Sequence, residues 1–193
     1  MPAAPHTRRA DARRSIASIL DAAIEELALD PDASMGAIAG RAGVARATLY
    51  AHFPTREALI AEVTDRAIAE ATETIGAAAP DEGEPREALA RVIGAAWRTL
   101  GRYHALVAIN SRLAPKRLRA LHEPVVGRLR PLIERGQKSG AFNDNVPAGW
   151  LLTVALELVH AASREVSAGR LPEAAAESAL LAAVAGALAP QPS

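Results

Sequence analysis

The side chains that could do chemistry are concentrated in one short window of this 193-residue sequence, residues 34–56. From position 41 to position 56 the only charged side chains are three arginines, Arg41, Arg46 and Arg56. Guanidinium groups without neighbouring carboxylates favour an anionic partner such as a phosphate. Further arginines precede the first predicted helix, namely Arg8, Arg9, Arg13 and Arg14. We therefore expect phosphates to meet positive charge at this end of the chain.

Apolar spacing places this window on two short helices that follow a long one. Pro31 closes the long helix, which has about 20 residues. Ser34 is a good N-cap for the first short helix, and Gly43 can end that helix in a left-handed conformation. The second short helix covers about residues 45–52. Three helices in this order make a unit of the helix-turn-helix type.

The second short helix is expected to have a narrow outward face. With Leu49 facing inward and about 100° per residue, Ala47 and Ala51 point outward. The residues expected near the buried side are Ala45, His52 and Phe53. The residues beside the two alanines are Thr48, Tyr50 and, near the helix N-terminus, Arg46. Such a helix can enter the major groove of DNA, which is about 12 Å wide.

The window resembles the DNA-binding region of the TetR family of bacterial transcriptional regulators. The matching residues are Ser34-Met35, Ile38-Ala39, Ala42-Gly43-Val44, Thr48-Leu49-Tyr50, His52-Phe53 and Arg56-Glu57-Ala58-Leu59. The resemblance covers about residues 10–62. It implies an all-α fold of nine helices and a homodimer joined through the last two helices. It also implies a repressor that a small molecule releases from its operator.

The resemblance assigns DNA-binding roles by position. The predicted DNA-binding residues are Ser34, Arg46, Ala47, Thr48, Tyr50, His52, Thr55 and Arg56. Those expected to hold phosphates are Tyr50, His52 and Arg56, and Thr55 starts a helix whose free N–H groups can receive a phosphate oxygen. We further predict that Arg46 reads guanine, that Ala47 or Ala51 touches thymine methyl groups, and that DNA shape supplies the remaining specificity.

Structural interpretations of the same residues stay open. Tyr50 could be half-buried core, and His52 could serve in packing. Arg46 and Arg56 could be solvated surface arginines. Ala45 stands where the family often has Ser or Thr, so the second short helix lacks a side-chain cap, at a cost of about 1 kcal/mol.

The rest of the chain is expected to be helical, because no alternating strand pattern occurs. We expect a DNA-binding head over residues 1–62, with a helix over 55–75 leading onward, and a ligand-binding and dimerisation domain over residues 63–193. Its helices are expected from Pro85, over 104–113, over 124–138 after a break at Pro115, from Pro147 to about 168, and from Pro172 to about 189. Pro131 should kink the helix that contains it.

Two predicted helices suit a homodimer through residues 147–189. The helix that follows Pro147 is apolar on nearly every side, so it cannot be a one-sided surface helix. The last helix is rich in alanine, which lets helices approach closely. Together they could form a four-helix interface across a two-fold axis.

Candidate ligand-binding residues are the polar-tipped or aromatic side chains in otherwise apolar segments. They are Trp97, Tyr103, His104, Asn110, Glu157 and His160. Such groups in an apolar cavity orient a small molecule. Trp97 and Tyr103 are the best candidates, and Glu157 and His160 could also bond each other across one helical turn or meet the same residues of a second subunit. A structural role is the alternative for each of them.

A basic segment lies between residues 112 and 138, within a stretch of net charge +9 from residue 86 to residue 139. Its cations are Arg112, Lys116, Arg117, Arg119, Arg128, Arg130, Arg135 and Lys138. It is most simply a solvated face that balances the acidic helix 57–75. An anionic ligand or partner protein is the alternative.

Other classes of protein find little support. The sequence has no cysteine, no nucleophile elbow, no phosphate-binding glycine loop and no His-Glu-x-x-His motif, so we expect neither an enzyme nor a metal site or other cofactor. No run of about 18 apolar residues occurs, which favours a soluble cytoplasmic protein without membrane contact. The remaining alternative is a helical ligand-binding or scaffold protein that never touches DNA.

Overall fold

The computed structural model describes residues 5–191, and the side chains from residue 13 onward. Within that part the chain forms nine α-helices and no strand, as the all-α prediction requires. The helices are α1 Pro5–Leu29, α2 Met35–Arg41, α3 Arg46–His52, α4 Arg56–Ala77, α5 Pro85–Gly101, α6 His104–Asn110, α7 Pro115–Lys138, α8 Ala148–Ser167 and α9 Glu173–Leu188.

The chain divides into two compact units within α4. The first unit extends to Arg66, and the second begins at Ala67. In the first unit α1 packs on α2, and α2 packs on α3. Its core is built from one apolar face of each helix, and includes Ile19, Leu27, Ile38, Leu49, Leu59 and Val63. We call this first unit the head.

The turn between α2 and α3 is a Schellman motif. Gly43 has φ +66°, a left-handed conformation that glycine adopts without strain. The amide of Val44 donates to the carbonyl of Ala39 at 3.1 Å, and the amide of Gly43 donates to the carbonyl of Gly40 at 3.2 Å. These two bonds satisfy the carbonyls of Ala39 and Gly40 in the last turn of α2. The predicted helix end at Gly43 is confirmed.

In the second unit, α8 is the central helix. It packs against α5, α6, α7 and α9, while α5 also packs on α7 and α9. The buried core includes Val92, Leu132, Ile133, Leu152, Val159, Leu180 and Val184. Pro147 and Pro172 directly precede α8 and α9 as predicted, since proline suits the start of a helix.

Two predicted helix boundaries are wrong. α1 begins at Pro5 rather than after the N-terminal arginines, so Arg13 and Arg14 are exposed helical residues. The side chains of Arg8 and Arg9 lie outside the described residues. α7 begins at Pro115, which was expected to be a break. Proline at the first helical position loses no intrahelical hydrogen bond, and that explains why it opens the helix.

In the part of the chain from residue 5 to residue 191, none of the helices is both long and apolar enough to span a membrane.

Candidate nucleic-acid interface

Helix α3 is anchored by one buried residue and exposes the opposite face. Leu49 is fully buried in the head. On the other side Arg46, Ala47, Tyr50 and Ala51 are all exposed. Positions separated by four residues lie on the same face of a helix, so these side chains form two adjacent rows. The predicted outward direction of Ala47 and Ala51 is therefore confirmed.

Ala45 was expected near the buried side, and that expectation is wrong. It is exposed, and its backbone is extended, with φ −65° and ψ 145°. Because Ala45 is the N-cap and precedes the first helical residue, the helical angle per residue does not apply to it. As predicted, no side chain caps this helix.

The side chain of Arg46 lies against α2. A Cβ atom at Gly36 would stand 2.6 Å from Nη2 of Arg46 and 2.9 Å from its Cζ. The guanidinium group therefore occupies space that exists only because residue 36 has no side chain. Arg46 remains exposed to solvent in this position.

Tyr50 and His52 differ in their surroundings. Tyr50 is 48% exposed, so the half-buried core interpretation does not hold for it. His52 is half-buried, and its ring lies 6.4 Å from the ring of Phe53. Thr48 is half-buried as well. Tyr50 is thus the residue of these three that is most accessible to a partner.

Ser34 and Thr55 both cap helices. The Oγ atom of Ser34 accepts a hydrogen bond from the amide of Ala37 at 3.1 Å, which confirms the predicted cap of α2. Thr55 Oγ1 accepts from the amide of Ala58 at 3.1 Å. Hydrogen bonds from its own backbone amide and from Thr55 lower the pKa of Glu57. The backbone amides of Glu57 and Ala58 in the first turn of α4 therefore already donate hydrogen bonds to side-chain oxygens of the chain itself.

Two of the arginines in the window make contacts within the head. Arg56 is half-buried, and its two terminal nitrogens donate to the backbone carbonyls of Ala33 and Pro31, the latter at 2.6 Å. Arg41 pairs with Glu26 and with Glu25, at 3.1 Å for the latter. Arg41 therefore ties α2 to α1, and Arg56 ties the start of α4 to the loop after α1.

In the second unit, the predicted ligand residues separate into two groups. Trp97 and His104 line a cavity of about 570 Å³. The others do not line it: Tyr103 is buried, Asn110 and His160 are half-buried elsewhere, and Glu157 is exposed. Trp150, 58% exposed, lies outside the cavity as well.

Tyr103 makes a polar contact with α4. Its hydroxyl donates to Oε2 of Glu70 at 2.6 Å, and Arg102 donates to Oε1 of the same carboxylate at 3.0 Å. Glu70 lies on the part of α4 that belongs to the second unit. The connection between α5 and α6 is thereby fastened to α4.

His160 is paired with another histidine. Its ring lies 4.9 Å from that of His122, edge to face. Burial of the imidazole, with smaller effects of His122 and Arg164, lowers the pKa of His160 to about 4. Nδ1 of His122 contacts the carbonyl of Leu118 at 2.9 Å, so that nitrogen carries the proton. The predicted bond between His160 and Glu157 is not the contact that this histidine makes.

Sequence reasoning missed several residues of the cavity, namely Arg98, Ser163, Glu173 and Glu177. For Ser163 the sequence pattern of α8 contained one indication of a special position. It continues the buried row of Leu152, Ala155 and Val159 on α8 as a polar residue. A polar group on an apolar face marks either a satisfied core position or a binding site.

Most of the basic segment is solvated. Its exposed cations are Arg112, Lys116, Arg117, Arg119, Arg128, Arg130 and Lys138. Arg135 differs, because it is half-buried and donates to the carbonyls of Pro80, at 3.0 Å, and Asp81, at 2.5 Å. From residue 13 to residue 191, no three His, Cys, Asp or Glu side chains are grouped so that they could hold a metal ion.

Comparison with known proteins agrees with this geometry. The model of the family described as bacterial regulatory proteins, tetR family, matches residues 19–63. No curated protein matches the chain by sequence.

Solved structures resemble nearly the whole chain. The TetR-like regulator LfrR from Mycobacterium smegmatis, solved with proflavine, is 26% identical with a TM-score of 0.71, over 91% of this chain and 97% of that one. A TetR family regulator from Shewanella sp. PV-4 is 25% identical with a TM-score of 0.66, over 91% and 98% of the two chains. FadR from Bacillus subtilis, solved with stearoyl-CoA, shares the fold at 18% identity and a TM-score of 0.72, over 89% and 98%.

Residues 19–63 thus match the family model, and about nine-tenths of the chain has the fold of solved family members. The predicted resemblance is confirmed: this chain has the helix-turn-helix head and the all-helical fold of the TetR-family transcriptional regulators.

Proposed function

We propose that the protein is a transcriptional repressor that binds a palindromic operator as a homodimer and is released by a small molecule. The observation that carries this proposal is the exposed face of α3. There Arg46, Ala47, Tyr50 and Ala51 are exposed to solvent, while the buried Leu49 holds the helix in place. An arginine beside small residues suits the major groove, where arginine pairs with guanine and alanine contacts thymine methyl groups. Such a regulator works in the cytoplasm, where the DNA is.

The exposed face of α9 is suited to packing against a second copy of the chain. Its buried residues Ala176, Leu180, Val184 and Leu188 face the core of the second unit. The opposite face carries only small exposed residues: Ala174, Ala175, Ser178, Ala179, Ala182, Ala183, Ala185 and Gly186. A smooth face of this kind lets two helices approach closely. Dimerisation places two recognition helices on half-sites about 34 Å apart.

Ligand control is proposed to pass through α4. This helix begins in the head and ends in the second unit, where Tyr103 and Arg102 hold Glu70. A molecule that favours a different arrangement of this contact shifts the population away from the DNA-binding form. The coupling required is about 1 to 3 kcal/mol. The cavity in the second unit and the proflavine complex of LfrR support a small-molecule effector.

The DNA-binding part is tested by selecting duplexes from a random pool with the purified protein. We expect a palindromic sequence, with an affinity that falls steeply as salt rises, because binding releases counterions from phosphates. Arg46→Ala should weaken binding and relax the preference at one base pair by about 1 to 3 kcal/mol. Arg130→Ala, an exposed arginine on α7, is the matched control.

A protein that binds no duplex more strongly than an unrelated neutral protein does would contradict the proposal and favour a helical carrier or scaffold. The dimer is tested separately by sedimentation. Ala182→Glu on the smooth face of α9 should give monomers, whereas Glu134→Gln on α7 should not. A wild-type chain that sediments as a monomer at micromolar concentration would exclude the dimer.

A further inference from the structure

Two histidines of the second unit meet between α7 and α8. His122 lies on α7 and His160 on α8, and their ring centres are 4.9 Å apart, with the ring planes inclined by 62°. Neither histidine lines the cavity formed by Trp97 and His104, so that cavity does not account for the pair. The packing of α8 on α7 brings the two rings together, because they are far apart in the chain.

The separation of the two rings is close to that of two ligands on one metal ion. Zn²⁺ lies about 2.0 to 2.1 Å from a ligating imidazole nitrogen, and tetrahedral angles then place the centres of two such rings about 5 Å apart. The distance between His122 and His160 is 4.9 Å. The helices therefore already hold the two rings at a spacing from which both can reach one ion.

The hydrogen bond of His122 prepares this residue as a metal ligand. Its Nδ1 contacts the carbonyl of Leu118, one turn earlier on α7, at 2.9 Å, and Nδ1 carries the proton because a carbonyl only accepts. The Nε2 atom of the neutral ring then has a free lone pair. Histidines that bind metals almost always donate their other N–H in this manner, which fixes the tautomer and raises the basicity of the ligating nitrogen.

His160 supplies the second nitrogen. Among the described residues, no side chain or carbonyl forms a hydrogen bond with its ring. Burial of the imidazole lowers the pKa of His160 to about 4, so the ring is neutral at pH 7. Metal ions bind the neutral form of imidazole. Because His160 is only half-buried, water can occupy the coordination positions that the protein leaves open.

The charge next to the pair selects the kind of ion. Arg164, one turn after His160 on α8, is exposed, and its positive charge contributes to the lowered pKa of His160. This charge repels every cation, so coordination by nitrogen must supply the binding energy. Zn²⁺, Ni²⁺ and Cu²⁺ bind imidazole strongly, whereas Mg²⁺ and Ca²⁺ prefer oxygen ligands.

We propose that Nε2 of His122 and a ring nitrogen of His160 bind one divalent transition-metal ion of the class that prefers imidazole, and that water completes its coordination. Within the part of the chain that the structure describes, no third His, Cys, Asp or Glu side chain joins the two histidines. The bound ion links α7 to α8. This inference goes beyond the proposed function and does not depend on DNA binding.

Calorimetric titration of the full-length protein, free of any histidine tag, with ZnCl₂ alone tests the proposal. We expect one ion per chain. His122→Gln and His160→Gln should each weaken binding at least tenfold, since loss of even an outer-shell partner costs a metal site about 10- to 100-fold. MgCl₂ should not bind.

His104→Gln is the matched control, because His104 is also half-buried but lies on α6. It should bind zinc as the wild type does. If the wild type binds no zinc, or if His160→Gln binds zinc as tightly as His104→Gln does, the proposal is wrong, and the two rings only pack against each other.

Electron paramagnetic resonance with one equivalent of CuCl₂ tests the ligand set without a variant, which matters because His122 is buried. We expect nitrogen hyperfine couplings from two imidazole rings. A spectrum with one imidazole ligand would contradict the proposed pair. Thermal unfolding adds a further readout: ZnCl₂ should raise the melting temperature of the wild type but not that of His160→Gln, since an ion that binds only the folded state stabilises it.

Removal of the repelling charge provides a test in the opposite direction. Arg164→Gln should strengthen zinc binding about twofold to fivefold, the scale of a single exposed charge interaction. Arg130→Gln, an exposed arginine on α7, is the control and should leave zinc binding unchanged. Equal zinc affinities of these two variants would place the ion away from His160 and contradict the proposal.

Discussion

The guanidinium group of Arg46 lies over Gly36, so closely that a Cβ atom at position 36 would stand 2.6 Å from Nη2. Gly36 is a helical residue of α2, whereas Arg46 is the first residue of α3. Glycine is unfavourable inside a helix by about 0.5 to 1 kcal/mol relative to alanine. The position of the arginine thus depends on a residue that the helix itself does not favour.

We predict that Gly36→Ala displaces the Arg46 side chain and weakens operator binding about as much as Arg46→Ala does, by roughly 1 to 3 kcal/mol. The end of an arginine side chain moves easily, so the melting temperature should not fall. Duplex affinity and thermal unfolding are the two measurements.

Gly40→Ala provides the matched control, because it lies in the same helix and a Cβ atom there meets nothing within 4 Å. It should gain the same helix propensity and leave DNA binding unchanged. In the double variant Gly36→Ala with Arg46→Ala, the second change should add little. If Gly36→Ala binds DNA as Gly40→Ala does, Gly36 does not position the arginine.

Arg56 is expected to stabilise the head rather than to act only on DNA. Arg56→Ala removes the donors to the carbonyls of Pro31 and Ala33. The loss should lower the free energy of unfolding by about 1 to 2 kcal/mol. Exposed Arg13 is the control, and Arg13→Ala should change stability little. If Arg56→Ala leaves the free energy of unfolding unchanged but weakens DNA binding, this prediction is wrong, and Arg56 acts by binding phosphate.

Tyr103→Phe tests the contact between the α5–α6 connection and α4. The hydroxyl of this buried tyrosine donates to a carboxylate oxygen of Glu70 at 2.6 Å. Hydrogen bonds to charged groups contribute about 1.5 to 3 kcal/mol, so urea unfolding should show a loss of about 2 kcal/mol. The exposed ion pair of Arg102 with the same carboxylate contributes less, and Arg102→Ala should cost under about 1 kcal/mol. A larger loss for Arg102→Ala than for Tyr103→Phe would contradict this ranking.

The change of the free energy of unfolding with pH should show the titration of His160. Its pKa in the folded protein is lowered to about 4, from an ordinary value of 6.5, so the unfolded chain binds the proton more readily. Stability from this group is therefore fully present above pH 6.5 and is lost as the pH falls toward 4. Between pH 7.5 and pH 5 the loss should be about 2 kcal/mol.

Urea unfolding at the two pH values measures this loss, and His160→Gln should remove most of it. The exposed or half-exposed histidines provide the comparison. His104→Gln should leave the pH dependence as it is in the wild type. If the two variants behave alike, the titrating group is not His160.

The local elements of the head could be predicted from the sequence because local rules define them. Gly43 ends α2 in a left-handed conformation, and Ser34 caps the same helix. The position of Leu49 determined which face of α3 is exposed, since helical geometry is regular. The same rules misplaced Ala45 and Pro115, both of which lie at helix starts where the regular geometry begins.

What the sequence by itself determined is therefore the helices, their capping residues and the outward face of α3. The tertiary structure alone decided the partners of side chains far apart in the chain: Arg56 reaches Pro31, and Tyr103 reaches Glu70. It also decided that Ser163 lines a cavity. Capping and helical periodicity act between neighbouring residues, whereas these contacts exist only after distant helices have packed together.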